Sequence, residues 1–289
     1  MTYKASGPFI IVTKTGHVFG ATSVEATESD LIVRLKGLQH RIGTEDIAVV
    51  YCIDSAHPAA RIDPGILSAV TALEGLMAEF SGGNLPPVIT IFGSGSLALA
   101  LLTDRSTNDL DTLVSDEFAA FVNRKHILTD IEIELLDESL LKLLGPWTDR
   151  TSELIGPLGL KFRLVHPFDT VMQKLLRFSV EHFVGKDQGD IDAVLTSLQP
   201  TKETLLDLLT ENPARYARLS GRFASQADAI ERNTRWFLGA YLPETSFEDI
   251  VRQTGDRAVA PALAAGLLPK IPPVDLRSFV KPQQGIQAP

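Results

Sequence analysis

The sequence predicts a mixed α/β (α+β) protein: a small all-β segment, a central α/β domain and a helical extension. Three observations carry this. The first stretch, to about residue 54, holds short β-branched runs between turn signals. Around residues 89–114 a hydrophobic strand enters a small-residue turn, a helix follows, and a second strand comes after it. From Phe168 the apolar spacing changes to the helical period.

Composition sets the frame. At 289 residues the chain is expected to hold about two domains. Its 44% hydrophobic and 22% charged residues are ordinary for a globular protein and exclude a wholly disordered one. No run of some 18 apolar residues occurs, so a membrane span is not expected. The N-terminal residues do not read as a signal peptide. The single cysteine, Cys52, excludes an intramolecular disulfide framework, suits a reducing cytosol and reads as a core thiol. A cytoplasmic protein is therefore expected. The formal net charge of −9 makes generic nucleic-acid binding unfavourable, because that affinity comes from neutralising phosphates.

In order, residues 1–60 read as a small β barrel or meander. Thr15-Gly16 turns between two strands, Leu31, Val33 and Leu35 alternate as on a half-buried strand, and Lys36-Gly37 marks another turn. Residues 61–200 form the α/β domain. It opens with a helix from Ile66 to about Phe80 and continues with a buried strand into Gly93-Ser94-Gly95-Ser96. The strand Asp109-Leu110-Asp111, a helix from Glu117, and strands at IEIELLD and KFRLV come next. Phe168, Val171, Met172, Leu175 and Leu176 then share one helical face, with Lys174 on the polar side. VGKDQGD interrupts, and a second amphipathic helix holds Ile191, Val194, Leu195 and Leu198. Residues 201–268 read as a helical extension with a break at Pro213. Residues 269–289, five of them proline, read as a loosely ordered tail.

The chemistry is concentrated in residues 89–117. Side chains alternate along a strand, so Asp109 and Asp111 share a face. Two close carboxylates repel, and a divalent cation between them relieves this. Backbone N–H groups of a Gly-Ser turn at a helix start can cradle a phosphate chain. A small-residue turn followed some fifteen residues later by Asp-x-Asp is thus a plan for a nucleoside triphosphate with its metal. Each part has a plainer reading as well. Asp-x-Asp is common at solvated strand ends, glycines permit tight turns, Lys174 suits a solvated helix face, and Lys186 with Asp190 suits a surface pair. The six histidines show no zinc-ligand spacing, and Gly-Ser-Gly-Ser is not a serine-nucleophile elbow.

The segment resembles the nucleotidyltransferase fold of the DNA polymerase β superfamily. More narrowly it is similar to small bacterial nucleotidyltransferases and the toxin nucleotidyltransferases of abortive-infection systems. Arg105, Thr107, Asp109 and Asp111 match that branch's spacing. The turn departs from the usual Gly-Gly, and either Gly93-Ser94 or Ser94-Gly95 can stand for it. Trp147 with Arg150, Pro167 with Asp169, Lys174, and Lys186-Asp187 with Asp190-Ile191 extend the resemblance, which covers roughly residues 66–200.

The resemblance implies an enzyme that moves a nucleoside monophosphate from a triphosphate such as ATP to a hydroxyl acceptor. Asp109 and Asp111 would bind one or two Mg²⁺ ions, with a third carboxylate beside them. Glu132 and Glu134 share a face of IEIELLD and Asp137 ends it; Glu134 is the preferred third acid, completing a catalytic set of Asp109, Asp111 and Glu134. Gly93, Ser94, Gly95, Ser96, Lys174 and Lys186 would contact the nucleotide. Acceptors implied are tRNA, a protein or a small molecule, and a toxin-type enzyme would have an antitoxin partner. The alternative is a catalytically degraded fold serving as a nucleotide-binding or protein-interaction module.

Overall fold

A computed structural model describes residues 3–35, 38–125, 129–136, 147–211, 227–256 and 268–283. The chain divides into two compact units. One comprises Met1–Leu140, Glu153–Leu164 and Pro272–Pro289, the other Leu141–Ser152 and Val165–Ile271. The expected mixed α/β class is observed, with two six-stranded sheets in the first unit and helices in both.

The first sheet is built from β1 (Tyr3–Thr13), β2 (Val18–Ala26), β3 (Asp30–Leu35), β4 (Leu38–Gly43) and β5 (Ile47–Ile53), all antiparallel. The order β5-β1-β2-β3-β4 puts the consecutive strands β4 and β5 at opposite ends of this set. In a flat sheet they would stand about four strand spacings apart, roughly 19 Å. The link from Gly43 to Ile47 spans at most about 14 Å. The sheet must therefore roll up, and its contents agree. Phe9, Ile11, Ala21, Val24, Leu31, Val33, Ile42 and Val50, all from these strands, form a core of their own. Cys52 packs against that core, half-buried, and burial pushes its thiol pKa up.

The outer side of the rolled sheet meets α1 (Pro64–Ser81). Asp63 caps this helix by accepting from the Gly65 N–H, Pro64 takes the first helical position, and Gly82 ends it in the left-handed region. α1 is apolar on nearly every side because it faces two layers. Ile66, Leu67, Val70, Leu73 and Met77 share one core with Ile10, Val18 and Ile53 of the rolled sheet and with Ile91, Leu110, Phe162 and Leu164 of the second sheet.

That second sheet contains β6 (Thr90–Ile91), β7 (Asp109–Leu113), β8 (Glu132–Leu136), β9 (Ser152–Ile155) and β10 (Lys161–Leu164), in the order β9-β10-β6-β7-β8. β6 is antiparallel to β7, while β7 and β8 run parallel. Two more helices belong here, α2 (Gly93–Leu99) between β6 and β7 and α3 (Asp116–Val122) between β7 and β8. α2 starts at Gly93, earlier than the sequence suggests.

Two carboxylates, one buried and one half-buried, tie these layers together. Glu74, in the middle of α1, accepts from the N–H groups of Leu158 (2.9 Å) and Leu160 (2.8 Å), holding the turn between β9 and β10. Burial pushes its pKa up to about 7, against the pull of those N–H groups. Asp130, just before β8, accepts from the Gly20 N–H of β2 and from the Ser68 hydroxyl of α1, and burial raises its pKa as well.

The stretch from Pro269 departs from the expected loose tail. Val274–Asp275 adds to the second sheet, parallel to β9, and Val280–Pro282 adds to the first, antiparallel to β5. Both sheets offered an open edge, and pairing there satisfies backbone groups that composition says nothing about. Phe279 stacks on His57 at 4.3 Å between these two strands' attachments.

The second unit is helical where it is described. α4 (Pro167–Leu175) buries Phe168, Val171, Met172 and Leu175 as its spacing predicts. The expected interruption at VGKDQGD is instead a π-turn, Phe183–Asp187, which joins α5 (Val180–His182) to α6 (Gln188–Leu198) in one helical run. α7 (Lys202–Glu211), Ala227–Tyr241 and Phe247–Asp256 follow. Pro213, His126, Asp137 and the Lys36-Gly37 turn lie outside the described residues, as do 284–289. No helix among the described residues is long and apolar enough to cross a membrane.

Candidate functional site

The site is assembled by β7, β8 and the turn into α2. β7 and β8 run parallel with Asp111 opposite Glu134 and Asp109 opposite Glu132. Paired residues of a parallel ladder present side chains to the same face, and alternation returns that face every second residue. Asp109, Asp111, Glu132 and Glu134 therefore share one face. One carboxylate oxygen each from Asp109, Asp111 and Glu134 lies within 4.8 Å of the others, and all three residues are half-buried. Among the described residues no other group of three acids, histidines or cysteines comes so close. Glu132 sits further out and is exposed.

The turn supplies the fourth wall. β6 ends at Ile91, and Phe92 still pairs with β7 by donating its N–H to the Asp111 carbonyl at 3.1 Å. Gly93 then takes φ +67°, a left-handed conformation that glycine adopts without strain. A Cβ on Gly93 would lie 2.2 Å from Asp111 Oδ2. The backbone therefore sits directly against a carboxylate of the triad, with no room for a side chain. Gly95 packs on Leu110, and Ser94 and Ser96 are buried. The Ser96 hydroxyl donates to the Gly93 carbonyl at 2.9 Å, and no side chain caps the start of α2.

Thr107, two residues before Asp109, is 3% exposed, and its hydroxyl donates to Asp109 Oδ1 at 2.7 Å. Sequence reasoning matched Thr107 to a motif but gave it no role. The signal was its spacing, two residues before Asp109.

Lys174 and Lys186 belong to the second unit. Lys174 departs from the solvated helix face expected of it. It is almost fully buried, and its ammonium lies 3.0 Å from Asp187 Oδ1 and 2.8 Å from Asp190 Oδ2. Arg177 Nε approaches the other oxygen of Asp187 at 3.1 Å. The cause is the π-turn, which ends at Asp187 and leaves Asp190 a turn further on the same side. Asp190, expected in a surface pair, is 1% exposed and is held by Lys174, and Lys186 is half-buried. Arg150 grips Asp169 with two bonds, 2.7 and 3.1 Å, both side chains buried, beside the buried Trp147. Burial raises the Asp169 pKa and Arg150 pulls it back. These downstream residues hold the second unit together.

Residues 69–226 match the model of a family described as a nucleotidyltransferase of unknown function (DUF6036). No curated protein and no solved structure matches the chain.

Proposed function

The chain belongs to the nucleotidyltransferase family that its residues 69–226 match, and on that premise we propose that it transfers a nucleoside monophosphate from a nucleoside triphosphate such as ATP in a Mg²⁺-dependent reaction. The observation that carries the reading is the triad of Asp109, Asp111 and Glu134 with Gly93 against it. An all-oxygen, all-carboxylate donor set suits Mg²⁺ or Mn²⁺ and does not suit a thiophilic metal.

Asp109 and Asp111 would hold the metal, and Glu134 would share it and orient the attacking hydroxyl. When bound, the metal supplies positive charge at the α-phosphate and at the departing pyrophosphate. The backbone N–H groups from Gly93 to Gly95 lie at a helix start without a side-chain cap, the arrangement that holds phosphate oxygens. Contacts from Lys174 and Lys186 rest on the sequence resemblance alone, and Lys174 would have to leave two buried carboxylates to make one. Of the acceptors implied, the net charge of −9 favours a protein hydroxyl or a small molecule over tRNA. A toxin-type enzyme with an antitoxin partner, working in the cytoplasm, belongs to the same proposal.

A second reading is a module that binds nucleotide without turning it over. The burial of Lys174 favours it, since that cation is engaged elsewhere. One experiment addresses both. Calorimetry with each ribonucleoside triphosphate and Mg²⁺ is expected to show binding in the wild type that is lost in Asp109→Asn/Asp111→Asn. Transfer of label from the α-phosphate separates enzyme from module. Binding that survives the double substitution places the nucleotide elsewhere.

A further inference from the structure

We infer that Thr107 is a positioning residue for the metal: its hydroxyl orients the Asp109 carboxylate and sets the affinity of the site for a divalent cation. The inference rests on the metal reading of the triad given above.

Three carboxylates with oxygens within 4.8 Å repel one another in the absence of a cation. A donor that steadies one of them without bringing its own charge is valuable, because a lysine or arginine in that place would compete with the metal. Thr107 meets this requirement. It is buried, its hydroxyl is a neutral donor, and it lies 2.7 Å from Asp109 Oδ1. A carboxylate has two oxygens and about four lone-pair positions. Thr107 takes one position on Oδ1 and fixes the plane of the group, so that the remaining positions face the triad in a set direction. Thr107 is itself held. Its backbone is two residues from the start of β7, and its β-branched side chain has few rotamers. Partners of metal ligands typically change metal affinity by about 10- to 100-fold when removed.

Two neighbouring residues do not do the same. Glu132, on this face opposite Asp109, carries a further negative charge, and Thr112, on the opposite face of β7, donates its hydroxyl to the Glu134 carbonyl at 2.9 Å. Thr107 is a neutral side-chain donor placed on a triad oxygen.

The test is a Mn²⁺ titration of the free protein, followed by electron paramagnetic resonance. Thr107→Val keeps the shape and removes the hydroxyl; Thr107→Ser keeps the hydroxyl. Expected are a Mn²⁺ dissociation constant raised at least about tenfold in Thr107→Val and one within about threefold of wild type in Thr107→Ser. Thermal unfolding of both variants shows whether they fold. A purely structural Thr107 would lower the unfolding midpoint of Thr107→Val and leave its Mn²⁺ affinity alone. Equal affinity in the wild type and Thr107→Val, with the wild type binding Mn²⁺ at the triad, overturns the role of Thr107 and leaves the metal site standing. Failure of the folded wild type to bind Mn²⁺ overturns both.

Discussion

Lys174→Met is expected to destabilise the second unit by about 3–5 kcal/mol, a large share of the roughly 5–15 kcal/mol of an ordinary protein. The side chain is 5% exposed and bridges two carboxylates that are 0% and 1% exposed. Methionine fills the same volume but takes the ammonium away from both buried carboxylates, leaving Arg177, itself 43% exposed, beside Asp187. Removing one side of a buried ion pair costs far more than the pair contributes, because the remaining charge keeps its desolvation penalty. Denaturant unfolding checks this. Adding Asp187→Asn and Asp190→Asn to Lys174→Met removes the stranded charges and is expected to restore much of the loss. A folded Lys174→Met protein that has lost only nucleotide binding would contradict the structural role and return Lys174 to the triphosphate.

Gly93→Ala is expected to leave the protein folded and to disable the site. The new methyl would stand 2.2 Å from Asp111 Oδ2, and φ +67° adds strain of about 1–2 kcal/mol for any residue with a Cβ. Something must move, and the nearest atom is a triad oxygen. A shift of about 1 Å in a reacting group costs on the order of 100-fold in rate. The expected result is nucleotide transfer reduced by about that factor, weakened Mg²⁺-dependent nucleotide binding, and a modest fall in the unfolding midpoint. Gly75→Ala is the control: it lies in α1 with nothing within 4 Å of its added methyl, so glycine's low helix propensity makes the change neutral or stabilising.

What the sequence made legible was local. Leu31 and Val33 alternate on one strand, and the rolled sheet buries them. Phe168, Val171, Met172 and Leu175 repeat at the helical period, and α4 buries all four. The pair Asp109 and Asp111 shares a face because two residues return a strand to the same side. Glu134 was preferred as the third acid over Glu132 and Asp137, and pairing supplies the geometry: parallel register sets Glu134 opposite Asp111, and its carboxylate joins those of Asp109 and Asp111.

What was hidden depended on distant chain. Lys174 reads as a surface residue on its own helix, and its carboxylate partners come from beyond a π-turn that looks like a break. Glu74 reads as a stray polar residue in an apolar helix; its partners are N–H groups more than 80 residues away. The proline-rich end reads as loose because composition carries no information about free sheet edges. Val274 nevertheless pairs with Leu154 and Val280 with Ile53.

The most direct measurement is the position of the anomalous scattering from Mn²⁺ in crystals of the protein soaked with Mn²⁺. The expected result is a peak within coordination distance of one oxygen each from Asp109, Asp111 and Glu134. A peak held by other residues, or no peak at millimolar Mn²⁺ with the triad ordered, would contradict a metal-dependent nucleotidyltransferase site at this place.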